Sequence, residues 1–223
     1  GILLALFSYR TIVRNPDWYD NKTLFTADAA NAPNSAKVHH YYGNSFLTPQ
    51  IGKPDSPEKT KDLKIALREE KIAVRINPEF HHAYYNLGLI YQEFQNGDSA
   101  LWNLNKVLAL QPKHILAQSA IGSVYGKLKG NYEKAVYHLN IAVKYNPKDG
   151  GSWENLGIAN AMKGDYTESL KAFGEALKYK QNDARLYMNT GITYQFMKDT
   201  VNARLYFEKA FELDPSLKLP TQK

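Results

Sequence analysis

Glycine recurs through this sequence at a nearly constant interval. Four glycines are separated by 34, 35 and 34 residues: Gly88, Gly122, Gly157 and Gly191. A second set keeps the same interval, with a glutamine where one proline is due: Pro78, Pro112, Pro147, Gln181 and Pro215. Two independent markers with one period indicate an internal repeat, and a period near 34 residues predicts stacked pairs of helices.

Residues 81–114 show how one unit is built. In its first half, large apolar residues and a glycine follow the i, i+3, i+4, i+7 spacing of a helix: Tyr84, Leu87, Gly88 and Tyr91. In the next turn, Gly97 is predicted to end this helix and Asp98 to cap a second one. We expect Gly88 and Ala100 to be small because the two helices cross closely there, and each pair buries its face against the next.

The same template divides residues 36–223 into five units and a short tail. The predicted units are 36–80, 81–114, 115–149, 150–183 and 184–217. The first unit carries an insertion near 48–62, which contains Pro49, Pro54 and Pro57. Prolines at this spacing predict a loop or an extended segment rather than a helix.

This pattern resembles the tetratricopeptide repeat (TPR) family, whose signature is Trp/Tyr-x-x-Leu-Gly-x-x-Tyr, then Ala, Phe, Ala and Pro at fixed offsets. The resemblance covers residues 36–217, with scattered departures at Gln118, Asn160, Ser169 and Gln181. It implies an all-α fold, a right-handed α-solenoid of about five helix-turn-helix units. The first helix of each unit would then line a concave groove.

Residues 1–35 precede the repeats. The apolar run 2–7 is shorter than the roughly 20 residues that a membrane-spanning helix needs. We interpret it either as the end of a membrane anchor or as a short helix packed on the first unit. Further along, Asp17 or Asp20 is suited to cap a helix that Pro33 closes. This helix would be an N-terminal capping half-repeat.

A group of residues around this junction forms a longer motif: Arg14, Asn15, Trp18, Asp20, Leu24, Phe25, Pro33, Ala36, Lys37, Val38 and His39. The motif is similar to the junction in transmembrane-and-TPR O-mannosyltransferases and their bacterial relatives. The resemblance implies the soluble part of a membrane glycosyltransferase, facing the periplasm or lumen, with the catalytic carboxylates in the membrane half. By the positive-inside rule, Arg10 and Arg14 favour the cytoplasmic side. The alternative to this interpretation is a stand-alone TPR adaptor, with or without an N-terminal anchor, and the alternative location is the cytoplasm.

Few residues are suited to chemistry. The chain has no cysteine, and we find no phosphate loop, nucleophile elbow or zinc helix motif. Adjacent histidines on a helix point about 100° apart, so the pairs at 39–40 and 81–82 cannot chelate as i, i+4 pairs do. His40 and His82 are instead expected to approach each other between units. Carboxylates are expected on solvated faces. We predict no catalytic, cofactor-binding or metal-ligating residue, and no enzyme activity for this fragment.

The net charge of +6 comes from scattered basic residues, which argues against a nucleic-acid partner. A protein or peptide partner is favoured instead. In a TPR solenoid the residue two positions before the repeat glycine points into the groove, and three such positions hold asparagine: Asn86, Asn155 and Asn189. A side-chain amide can both donate to and accept from one peptide unit. This partial ladder, similar to that of the O-linked N-acetylglucosamine transferases, predicts backbone contact with an extended polypeptide.

The other predicted groove residues flank these asparagines: Tyr41, Asn44, His82, Tyr85, Glu154, Arg185 and Met188. An alternative reading is an assembly scaffold that docks partners through its convex face or its Pro-rich loop. Self-association is a further prediction, because the tail after 217 is too short to cover the last unit.

Overall fold

The computed structural model of the chain describes residues 20–217. The apolar run 2–7, Arg10, Arg14 and Trp18 lie outside the described residues, as does the tail after 217. Within 20–217 the chain forms eleven α-helices and one short 3-10 helix, and no strand. The predicted all-α fold is therefore confirmed. The contacts divide the chain after Pro112 into two units.

Between residues 20 and 112, unit 1 contains a single helix followed by two helical hairpins. Its helices are α1 (Asn21–Asn31), α2 (Ala36–Leu47), α3 (Pro57–Ile76), α4 (His81–Glu93) and α5 (Gly97–Leu110), with the 3-10 helix Thr48–Gln50 after α2. Helix α2 packs against α3, and α4 packs against α5. Helix α1 packs on α2, and α3 packs on α4, so that each element covers the apolar face of the next.

Unit 2 contains three helical hairpins. Its helices are α6 (Ile115–Lys127), α7 (Tyr132–Tyr145), α8 (Gly150–Lys163), α9 (Tyr166–Leu177), α10 (Ala184–Phe196) and α11 (Thr200–Leu213). The hairpin partners are α6 with α7, α8 with α9 and α10 with α11. The first helices α6, α8 and α10 also contact one another in sequence.

The repeated glycines lie where the two helices of a hairpin approach most closely, as the spacing predicted. A Cβ atom added to Gly88 would lie 2.6 Å from Leu104 Cγ, and one added to Gly122 would lie 2.5 Å from Leu139 Cγ. Non-bonded carbon atoms in a folded protein do not approach each other this closely. The large side chain on the second helix therefore requires glycine on the first.

Three sequence predictions about helix ends need correction. Gly97 does not end α4, because α4 already ends at Glu93 and Gly97 is the first residue of α5. The cap of α5 is Asn96, whose side chain accepts from the backbone N–H of Ser99, so the predicted cap Asp98 lies inside the first turn. The predicted loop at 48–62 is shorter, because α3 already begins at Pro57 behind the cap Ser56. Proline is tolerated there since the first N–H groups of a helix have no intrahelical partner. Asp20 caps α1 in the predicted manner.

The helices within 20–217 include none with the length and apolar character needed to cross a bilayer.

Candidate functional site

The predicted groove residues all lie on the first helices of hairpins. Unit 1 carries Tyr41 and Asn44 on α2, and His82, Tyr85 and Asn86 on α4. Unit 2 carries Glu154 and Asn155 on α8, and Arg185, Met188 and Asn189 on α10. The two sets differ in how many of their polar groups already make hydrogen bonds or ion pairs within the protein.

Asn86 is buried and fully engaged. Only 6% of the residue is exposed. Its Nδ2 donates to Glu70 Oε1 at 2.7 Å and to Asn44 Oδ1 at 3.1 Å, which uses both of its N–H groups. Peptide contact by Asn86 and Asn44 stays a prediction, and these hydrogen bonds within the protein would compete with it.

Two carboxylates of α3 are buried against two histidines of α2. Glu70 is 0% exposed and its oxygens lie 3.1 and 3.2 Å from His40 Nδ1. Glu69 Oε2 lies 2.7 Å from His39 Nδ1, and His39 Nε2 lies 2.9 Å from the carbonyl oxygen of Pro33. The expectation that carboxylates occupy solvated faces is therefore wrong for this helix. The two pairs satisfy each other, as buried polar groups must.

Burial raises the pKa of Glu70 above its ordinary value, and the hydrogen bonds from His40 and Asn86 offset this only in part. The signal in the sequence was the pair of adjacent histidines and the pair of adjacent glutamates 30 residues later. That signal was missed because a helical repeat alone does not say which face of α3 is covered.

His82 is exposed and lies at the edge of the same cluster. Its ring centroid is 5.9 Å from that of His40 and 5.5 Å from that of Phe80. The expected approach of His40 and His82 is confirmed. Neighbouring groups remove part of the water around the His82 ring, and electrostatic repulsion from the His40 ring acts in the same direction, so the pKa of His82 is lowered. No group of three or more potential metal-ligating side chains occurs in the part of the chain that the structure describes.

The ring of Tyr41 is partly covered by the capping helix α1. Phe25 stacks on it with the ring centroids 5.3 Å apart and the planes at 24°. Tyr85, the remaining predicted residue of this unit, is half-buried on α4. The first predicted groove position is therefore in contact with the chain's own N-terminal helix.

In unit 2 the two predicted asparagines differ from Asn86 in their side-chain hydrogen bonds. Asn155 and Asn189 are half-buried, and neither side-chain amide makes a hydrogen bond with any residue of 20–217. Asn155 lines a cavity of about 270 Å³ between α6, α7 and α8. The rest of the lining is mainly apolar or small, and includes Gly122, Gly126, Ile158 and Met162. We use the name unit 2 groove for the surface that comprises Asn155, Asn189 and this cavity.

Of the two charged residues predicted for the unit 2 groove, Glu154 and Arg185, only Glu154 makes an ion pair within residues 20–217. Lys180 pairs with both Glu154 and Asp183. Partial burial acts to lower the pKa of Lys180, but the hydrogen bonds that its ammonium group donates to these two carboxylates outweigh it and the pKa is raised. Arg185 is exposed, whereas Met188 is buried and contributes to packing rather than to the surface.

The last helix, α11, leaves two aliphatic side chains exposed, Val201 and Leu205. Both side chains belong to the last unit, whose uncovered apolar surface is the basis for the prediction of self-association. Self-association stays a prediction.

Comparison with known proteins identifies the class of protein. Family models described as tetratricopeptide repeat match residues 81–114, 129–185 and 184–217. Together these matches span more than half of the chain, so the chain belongs to the tetratricopeptide repeat family.

Among curated proteins, protein O-mannosyl-transferase TMTC1 of Homo sapiens is 30% identical over 92 residues, which are 41% of this chain and 9% of that protein. The chain thus spans a small fraction of the length of the curated relatives it matches.

Two solved structures are similar in fold. MamA from Desulfovibrio magneticus RS-1 superposes with a TM-score of 0.69 at 22% identity, covering 82% of this chain and 97% of that one. YrrB, described as a TPR protein with an unusual peptide-binding site, superposes with a TM-score of 0.64 at 21% identity, covering 86% and 93%. At these identities the likeness concerns the fold.

Proposed function

We propose that this chain is a non-catalytic binding module whose unit 2 groove holds an extended polypeptide. The observation that carries the proposal is the state of Asn155 and Asn189. Both amides lie on adjacent first helices without a hydrogen-bond partner in 20–217, and one of them borders an apolar cavity. A polar group that is half-buried and unpaired gains most when a ligand supplies its partner.

The spacing of the helices suits an extended chain. Neighbouring helices lie about 8–10 Å apart, and an extended peptide advances about 3.3 Å per residue. Asn155 and Asn189 would therefore meet peptide units about three residues apart. The cavity of about 270 Å³ lies on the α6 side of Asn155, away from α10, so a peptide side chain beyond Asn155 on that side would enter it.

The likeness of fold to YrrB, a TPR protein with a peptide-binding site, supports this proposal. TPR folds work chiefly as binding surfaces made by stacked helices, which fits a module without chemistry of its own.

The test selects binders from a random decapeptide library displayed on phage and measures their affinity by isothermal titration calorimetry. We expect the double variant Asn155→Ala/Asn189→Ala to weaken binding by about thirtyfold, which corresponds to losing two hydrogen bonds of about 1 kcal/mol each. Asn86 is left unchanged, because its replacement would also disturb Glu70.

The matched control is Asn140→Ala, which removes an exposed asparagine of α7 in the same unit. Equal affinity of the double variant and the wild type would overturn the proposed groove. Failure of the library to yield any binder would count against peptide recognition as a whole.

We further propose that the chain is the TPR part of a larger membrane protein. Support comes from the junction motif and from the 92-residue similarity to TMTC1, whose own activity is not carried over to this chain. An antibody to the chain should detect it in the membrane pellet after a carbonate wash. Protection from protease added to the cytoplasmic side would place the module outside the cytoplasm, and release by the wash would contradict a membrane anchor.

The Pro-rich loop remains the second candidate for partner docking, because it is exposed and is tied to α3 by side-chain hydrogen bonds. Lys59 Nζ donates to the carbonyl of Lys53 at 2.7 Å and pairs with Glu93, while Gln50 donates to Asp62. Deleting the loop would break these contacts. The exposed variant Ile51→Ser is therefore the appropriate probe, and a loss of partner binding without loss of stability would favour this candidate.

A further inference from the structure

Three aromatic rings form an open pocket on unit 1. Tyr84 and Tyr91 project from α4 and Trp102 from α5, and the Tyr84 and Trp102 ring centroids are 6.2 Å apart. Together with Leu87 and Val74 they line a cavity of about 440 Å³, which we call the aromatic pocket. Tyr84 lies two residues from Asn86, so it projects from roughly the opposite side of α4.

Trp102 is the most informative member of the pocket. It is 57% exposed although tryptophan is among the residues that gain most from burial. Exposed tryptophan and tyrosine side chains that border a pocket are enriched among the residues that dominate binding energy at protein interfaces. The pocket is therefore built like the receiving half of an interface, with an apolar floor and an aromatic rim.

The charges at the rim indicate the chemistry of the partner. Lys71 Nζ lies 5.9 Å from the centre of the Tyr91 ring, and Lys106 Nζ lies 5.5 Å from the centre of the Trp102 ring. Neither lysine makes an ion pair within residues 20–217. The one carboxylate of the lining, Asp98, lies in the first turn of α5, where the helix dipole stabilises it. The two lysines therefore remain available to carboxylates of a partner.

We propose that the aromatic pocket is a second binding site, separate from the unit 2 groove, for an acidic polypeptide segment with one aromatic anchor. The anchor ring packs between Tyr84, Tyr91 and Trp102. Carboxylates on either side of it pair with Lys71 and Lys106. This assignment needs no contribution from Asn155 or Asn189, so the two sites can fail or hold independently.

The probe is the blocked pentapeptide Glu-Asp-Phe-Glu-Asp, carrying a fluorescein label, with binding to the whole chain followed by fluorescence anisotropy at low ionic strength. We expect saturable binding that weakens as salt is added, because the rim charges are exposed. Trp102→Ala and the double reversal Lys71→Glu/Lys106→Glu should each reduce affinity by about tenfold or more. Circular dichroism confirms that the variants are folded.

Three controls make the result decisive. Tyr137→Ala removes another exposed aromatic residue, on unit 2, and should leave affinity unchanged, as should Asn155→Ala/Asn189→Ala. The peptide Lys-Lys-Phe-Lys-Lys should not bind. Equal binding of that basic peptide, full affinity in Trp102→Ala, or stronger competition by a single-stranded oligothymidine than by the unlabelled acidic peptide would each overturn the assignment.

Discussion

The side-chain amide of Asn86 donates a 2.7 Å hydrogen bond to the carboxylate of Glu70, which is completely buried. The bond joins the first helix of one hairpin, α4, to the second helix of the preceding one, α3. A residue at a predicted ligand-contacting position is therefore also part of the internal packing between hairpins.

Asn86→Ala should destabilise the protein. The variant leaves Glu70 and Asn44 without one of their donors, and an unsatisfied buried polar group costs about 1–3 kcal/mol. Urea unfolding followed by circular dichroism measures the change. Asn105→Ala, at an exposed position on α5, is the control and should change stability by less than about 0.5 kcal/mol. Equal stability of the two variants would show that the Asn86 bonds contribute nothing net.

Glu70→Gln should change how stability depends on pH. Because burial raises the pKa of Glu70 above 4.5, the folded state holds this proton more tightly than the unfolded state. The contribution of Glu70 is fully present below pH 4.5 and is lost as the pH rises through its folded pKa. Glutamine keeps an oxygen acceptor for Asn86 without a charge to bury, so the variant should gain on the wild type between pH 4.5 and neutrality.

The measurement for Glu70→Gln is a series of urea unfolding curves across this pH range. Glu208→Gln provides the control, because Glu208 is exposed and its one ion pair among the described residues is with Arg204 on the same helix. If the wild type and Glu70→Gln remain parallel from pH 4.5 upward, the raised pKa is wrong.

Gly157→Ala should destabilise the protein strongly, although it adds only one methyl group. The added Cβ would lie 2.4 Å from Cδ1 of Phe173, which is itself buried, so the ring or the helix must move. Overpacking of this kind costs about 1–3 kcal/mol. Thermal unfolding measures the loss.

Gly174 offers a matched control on the neighbouring helix α9. A Cβ there meets no atom within 4 Å, so Gly174→Ala should be stabilising by about 0.5–1 kcal/mol through helix propensity alone. Similar behaviour of the two glycine variants would mean that close packing at Gly157 does not set the helix crossing.

Lys59→Met should loosen the Pro-rich loop and destabilise unit 1. Lys59 is buried, and its pKa is raised mainly by its hydrogen bond to Glu93. Because methionine can bond neither to Glu93 nor to the Lys53 carbonyl, we expect the free energy of unfolding to fall by about 1–3 kcal/mol. Hydrogen exchange at residues 50–56 should accelerate in the variant. Lys61→Met, at an exposed position of α3, is the control, and unchanged exchange in Lys59→Met would contradict the anchoring role.

The sequence by itself determined the repeat, the helical hairpins and the close crossing at each glycine. It could do so because period and residue size are local properties: Gly157 and Phe173 lie within one hairpin, and every hairpin repeats the same spacing. The sequence also identified which residues lie on the first helix of each hairpin, because their positions follow from the number of residues to the repeated glycine.

Only the tertiary structure decided which of those positions are still available. Asn86, Asn155 and Asn189 occupy equivalent positions in the repeat, yet Asn86 is bound by Glu70 and Asn44, whereas the other two amides make no hydrogen bond within 20–217. Whether an amide has a partner depends on which face of a neighbouring helix is buried beside it. That face is set by packing between hairpins, where a carboxyl group such as that of Glu70 can be buried because His40 and Asn86 satisfy its hydrogen bonds.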